Sequence, residues 1–167
     1  SSATGNTYSF GATASSERAF GGLQSTSLIP TIGACFTNNT GTTVTTLKIS
    51  YTGEQWRLGA TGRADRLDFQ YSLSASSLTT GTWTDVDALD FSGPITGGST
   101  GALDGNAAAN RTMIMSSIGG LSLAPGATVF IRWNSVDATG SDDGLAVDDF
   151  SLTPQITPEG NILLDLD

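Results

Sequence analysis

A chain of 167 residues with a formal net charge of −9 is long enough to bury a core without staples, and it lacks the clustered Lys and Arg that nucleic-acid binding needs. Histidine is absent and Cys35 is the single cysteine, which excludes Ser-His-Asp and Cys-His catalysis, imidazole metal sites and an intrachain disulfide. Only 14% of residues are charged, and the prevalence of Thr, Ser and Gly describes strands and turns rather than helices.

In chain order, alternation of apolar and polar residues predicts strands over 8–12, 19–23, 32–38, 45–53, 66–74, 83–91, 111–118, 128–135 and 145–152. The pattern is sharpest in "RLDFQYSLS", where Leu67, Phe69, Tyr71 and Leu73 share a face, and in "TVFIRWNS", where Val129, Ile131 and Trp133 do. Turns such as "NNTG", "ATGRAD", "LAPGAT" and "ATGSDDG" separate the segments. The expected fold is therefore all-β, a two-sheet antiparallel β-sandwich of jelly-roll type. It is expected to span residues 1–154, with 155–167 a linker followed by a strand-like tail, "NILLDLD", able to begin a next domain or pair with another subunit. Cys35, within "TIGACFTNN", reads as a buried strand residue. No signal peptide, lipidation motif or apolar run of membrane-spanning length is present, so the chain reads as soluble, and "SSATGN" would serve as a mature terminus after export.

With Leu47, Ile49 and Tyr51 facing the core, strict alternation sends Glu54 and Trp56 outward, whereas a bulge at Thr52–Gly53 would bury Trp56. Trp56 is thus either core packing or a sugar-stacking platform, and Glu54 and Arg57 read as an ion pair at a strand end. In "GLAVDDFSL", Ala146, Asp148, Phe150 and Leu152 share one face, where a lone carboxylate needs a partner. Calcium, which takes six to eight oxygens, is one partner, with Asp137, Asp142 and Asp143 of "DATGSDDG" joining Asp148. Pairing of Asp148 with Arg18 or Arg111 is the other. The "LDGNAAANR" loop offers Asp104, Asn106 and Arg111 either as turn formers or, with Trp56, as weak ligand contacts. "NNT" at 38 and "NRT" at 110 are glycosylation acceptors if the host performs that chemistry.

Taken together, "ERAFGGL", "GACFTNNTG", "YTGEQWRLG", "DRLDFQYS", "WTDVDALDF", "ALDGNAAANR", "FIRWNSVDA" and "DDGLAVDDFSLTP" resemble a module of large secreted bacterial surface proteins, over about residues 7–154. The closing "GLAVDDFSL" is similar to the last strand of jelly-roll carbohydrate-binding modules and of the MAM domain. The resemblance implies a non-catalytic role in binding, adhesion or assembly, often with a structural calcium at Asp148. No sugar-binding motif carries across residue by residue. The expectation is an extracellular or cell-surface structural module that self-associates or joins other surface proteins, with a fibre formed through strand complementation as one form of that assembly. A calcium-stabilised carbohydrate-binding module, with a polysaccharide partner, is the alternative.

Overall fold

The computed structural model describes residues 4–156, which form two packed antiparallel sheets. The strands are β1 (Asn6–Phe10), β2 (Ala19–Leu23), β3 (Thr31–Thr37), β4 (Thr46–Leu58), β5 (Arg66–Ser72), β6 (Thr84–Asp85), β7 (Phe91–Ser92), β8 (Gly101–Ala102), β9 (Arg111–Ile118), β10 (Thr128–Val136) and β11 (Gly144–Gln155). One sheet runs β1-β2-β11-β4, with β9 and β8 paired to successive stretches of the far side of β4. The other runs β3-β10-β5, with β6 and β7 on the far side of β5. The chain crosses between sheets at every step from β2 to β5, again from β7 to β8, and at both steps from β9 to β11, so each sheet's inner face is built from distant segments.

Period-two alternation places the core. Leu47, Ile49 and Tyr51 of β4 meet Val129, Ile131 and Trp133 of β10 and Leu67 and Phe69 of β5. Trp133 is the hub: Tyr51, Phe69 and Phe150 approach it edge-on at 5.2, 5.1 and 5.7 Å between ring centroids. The Tyr51 hydroxyl donates to the Leu89 carbonyl at 2.5 Å, so its polar end is satisfied inside the sandwich. Gly53 continues the inward face of β4, and a Cβ there would lie 2.3 Å from the Phe91 ring. Only glycine lets Phe91 fill that place.

Three expectations change. The segment 83–91 is not one strand: a 3-10 turn, Asp87–Leu89, separates β6 from β7 and drives Leu89 into the core. Asp90 fixes this break by accepting the Phe69 amide at 2.8 Å. Cys35 is exposed rather than buried, because Ile32, Ala34 and Phe36 take the inward face of β3 and leave Cys35 on the other. Finally, β11 runs three residues past the expected strand end at Leu152, with Pro154 opposite Leu47 and Gln155 opposite Thr46. The tail "NILLDLD" lies outside the described residues. Among the described residues no helix is long and apolar enough to cross a membrane.

Candidate functional site

The site forms on the outer face of the β2-β11-β4 sheet. β4 keeps strict alternation through Glu54, its register with β9 unbroken from Leu47 to Glu54, so the bulge considered at Thr52–Gly53 is absent. Glu54 and Trp56 therefore point away from the main core, yet Glu54 is 1% exposed and Trp56 8%. The loops before β2 and after β8 supply the cover. Trp56 joins Ala19 and Ala146 in a small second core, with Phe10 stacked on it at 6.0 Å. The Gly105 backbone lies so close over the indole that a Cβ there would be 2.3 Å from the ring.

Irregularity occurs instead where β4 meets β11: opposite Gly144 and Leu145 the extra residue is Trp56 of β4, and a second shift lies in β11. Its register against β4 shifts between Asp148 and Ser151, with Asp149 in the left-handed region at φ 51°. Aspartate tolerates that conformation better than most residues. This corrects the shared face assigned to Asp148, Phe150 and Leu152: Phe150 and Leu152 pack on the main core, while Asp148 stays outside near Glu54.

Glu17, from the loop before β2, completes the cluster. One carboxylate oxygen from each of Glu17, Glu54 and Asp148 lies within 4.8 Å of the others. Glu54 Oε2 accepts the Trp56 indole N–H at 2.8 Å, and Glu17 Oε2 accepts the side-chain amide of Asn106. Glu17 Oε1 is buried without a hydrogen-bond partner among the described residues. Burial pushes the Glu54 carboxyl above its ordinary value. The Trp56 hydrogen bond opposes this, Asp148 and Glu17 add to it by like-charge repulsion, and Arg111 opposes it. Arg111 faces Glu54 across the β4–β9 ladder but makes no ion pair with it within 4.0 Å.

The expected calcium set does not assemble as one group. Asp143 points between the sheets, where Oδ1 accepts the Gly59 amide at 2.7 Å and Oδ2 the Gln55 side-chain amide at 2.7 Å. Asp142 is buried beside it, its carboxyl pushed up by burial and then by Asp137. Among the described residues the one group of three or more acids close enough to share a cation is Glu17, Glu54 and Asp148, so Asp148 gathers with glutamates rather than with Asp137, Asp142 and Asp143. Four residues of strand and a change of face separate Asp143 from Asp148.

The weak ligand set fares differently. Asp104 and Asn106 belong to the loop that covers Trp56, and Arg111 opens β9 directly after that loop. Asn106 reaches Glu17, and Asp104 Oδ1 accepts the Asn106 amide at 3.1 Å. Arg18 is turned toward Ser9, with Nε 3.0 Å from Oγ, and does not pair with Asp148; Glu54 does not pair with Arg57. Both glycosylation acceptors are occupied in the fold. Asn38 Nδ2 donates to the Leu123 carbonyl at 2.7 Å and Asn110 Nδ2 to the Asp104 carbonyl at 2.8 Å.

Beside this cluster opens a cleft of about 420 Å³ whose walls include Tyr8, Phe10, Leu23, Trp56, Arg57 and Leu103. Its volume falls in the range of small-molecule sites. The Trp56 ring is thus shared, bonded through its N–H to the acidic cluster and contributing to the cleft wall. The chain matches no protein-family model, and comparisons with curated proteins and with solved structures give no match.

Proposed function

We propose that the chain is a non-catalytic binding module of the cell exterior whose outer sheet face is closed by a calcium ion held by Glu17, Glu54 and Asp148. The observation that carries the reading is three carboxylates brought within 4.8 Å of one another, one of them almost wholly buried, with no basic side chain in ion-pair contact. Removing a carboxylate from water costs several kcal/mol unless it is neutralised or paired, and a divalent cation offsets that cost for all three at once. Oxygen-only donors favour calcium, and water and backbone carbonyls would complete its shell. A site with this few protein carboxylates suits the millimolar calcium of extracellular modules.

Catalysis is disfavoured by access. A general acid or base must come within hydrogen-bond reach of its substrate, and Glu54 lies beneath the Trp56 and Gly105 cover. Chelation tests the reading: stability lost with EDTA and regained with calcium supports it, and indifference to both removes it.

A specific observation favours self-assembly as a second reading. β9 pairs with β4 along one edge, and among the described residues its other edge makes no backbone hydrogen bond. Met113 and Met115 project from it, 72% and 71% exposed. An exposed edge strand of this kind, charged only at Arg111 where it begins, is a template for strand addition. Met115→Lys is expected to abolish any filaments or oligomers seen by light scattering and electron microscopy while shifting stability by less than about 0.5 kcal/mol. A wild-type protein that stays monomeric at high concentration ends this reading.

A further inference from the structure

We infer that the cleft beside Trp56 binds a carboxylated sugar, a uronic acid unit of an acidic polysaccharide, and that Arg57 takes its carboxylate. The inference rests on the binding role proposed above but not on the calcium ion. Two half-buried rings, Tyr8 and Phe10, lie 5.5 Å apart along the cleft, and Trp56, stacked on Phe10 at 6.0 Å and largely buried, backs them. Such surfaces suit the apolar C–H face of a pyranose ring better than a fully solvated polar ligand.

The polar groups decide the ligand's charge. Asp104 lines the cleft, but its carboxylate already caps its own loop through the Asn106 amide at 3.1 Å. Arg57 is different. Among the described residues its guanidinium has no hydrogen bond and no ion pair, a condition it shares with Arg111 outside the cleft, whereas Arg63 pairs with Asp65, Arg66 with Asp68 and Asp90, and Arg132 donates to Gln70 and Leu78. Arg57 lines this cleft and also a neighbouring one beside Gln24 and Asp142, and in the former its planar fork of donors would match a carboxylate on a ring through two parallel hydrogen bonds. The hydroxyl of Thr13, also in the wall, is available to a sugar hydroxyl. The net charge of −9 does not prevent this, because repulsion from acids beyond about 8 Å is screened at physiological salt, and of the acids only Asp104 lies in the cleft wall, where its charge opposes the ligand's and has to be outweighed by Arg57. Selectivity for an acid must then come from Arg57 itself.

The test uses the full chain in calcium-containing buffer and isothermal titration with a polygalacturonate oligomer, its methyl ester and a neutral xylo-oligosaccharide. The acid is expected to bind, with the ester and the neutral oligomer weaker by about ten- to hundredfold, the size of a lost charge-assisted contact. Arg57→Met should weaken the acid by a similar factor and leave the neutral oligomer unchanged; the ester comparison needs no variant and stands if that variant misfolds. Equal binding of acid and ester, no binding of any oligomer, or preference for an acidic peptide over the oligomer overturns the inference. A calcium-dependent melting shift in the same samples reports the cation reading separately, so the two can fail independently.

Discussion

Stripping calcium with EDTA is expected to lower the melting temperature by roughly 5–10 °C, and added calcium to restore it. A ligand that binds only the folded state at a hundred times its Kd contributes about 2.7 kcal/mol, and each kcal/mol moves the midpoint of a domain this size by about 2–4 °C. The unfolded chain cannot share the cation comparably, because Glu17, Glu54 and Asp148 are brought together only by the β2-β11-β4 neighbourhood.

The effect carries a pH signature. Burial raises the carboxyls of Glu54, Asp142 and Asp143 above their ordinary values of 4.5, 3.8 and 3.8. A carboxyl with a raised folded-state pKa keeps its proton longer in the fold than in the unfolded chain. Its stabilising contribution is therefore full below the ordinary value and is lost as pH rises through the folded one. The calcium-free protein should thus be more stable near pH 4.5 than near pH 8, as far as these groups decide it. Calcium requires Glu54 ionised, so the increment it adds should grow across the same window. Calorimetry at several pH values with EDTA or calcium checks both slopes, and an increment constant with pH would speak against Glu54 as a ligand.

Trp133→Ala is expected to cost about 3–5 kcal/mol, the range for removing a buried large aromatic side chain. Trp133 is 4% exposed and three aromatic rings lean on it, so the cavity would sit at the centre of the sandwich. The melting temperature should fall by roughly 6–20 °C. Trp83→Ala is the contrast. Arg132 lies 3.9 Å over the Trp83 ring on the outer face of the other sheet, a cation–π contact worth about 0.5–1 kcal/mol at such sites. Denaturant unfolding of the two variants should separate them by at least about 2 kcal/mol, and equal losses would contradict this division of core from surface.

The two-sheet architecture was legible because alternation is a local property. "RLDFQYSLS" and "TVFIRWNS" each declare an inner face, and β5 and β10 lie side by side in the core with those faces inward. What alternation cannot declare is where it breaks. Asp149 enters the left-handed region and turns Phe150 inward, while Leu89 dives into the core through a 3-10 turn; both events depend on partners far along the chain.

The acidic cluster was half legible for the same reason. Asp148 stood out as a carboxylate needing a partner, but Glu17 and Glu54 did not, since nothing local tells that β2 and β4 flank β11. Trp56 shows a further limit. Alternation correctly turned it away from the main core, but its burial comes from loops packed over the sheet, which periodicity does not see.

Calorimetric titration of chelator-treated protein with calcium tests the central claim most directly. The account predicts one equivalent bound per chain with a Kd of about 0.1–1 mM, the range of extracellular modules, weakened at least about tenfold by Glu54→Gln and unaffected by Asp143→Asn in protein that remains folded. Absence of calcium binding, or binding lost with Asp143 and kept without Glu54, would contradict it.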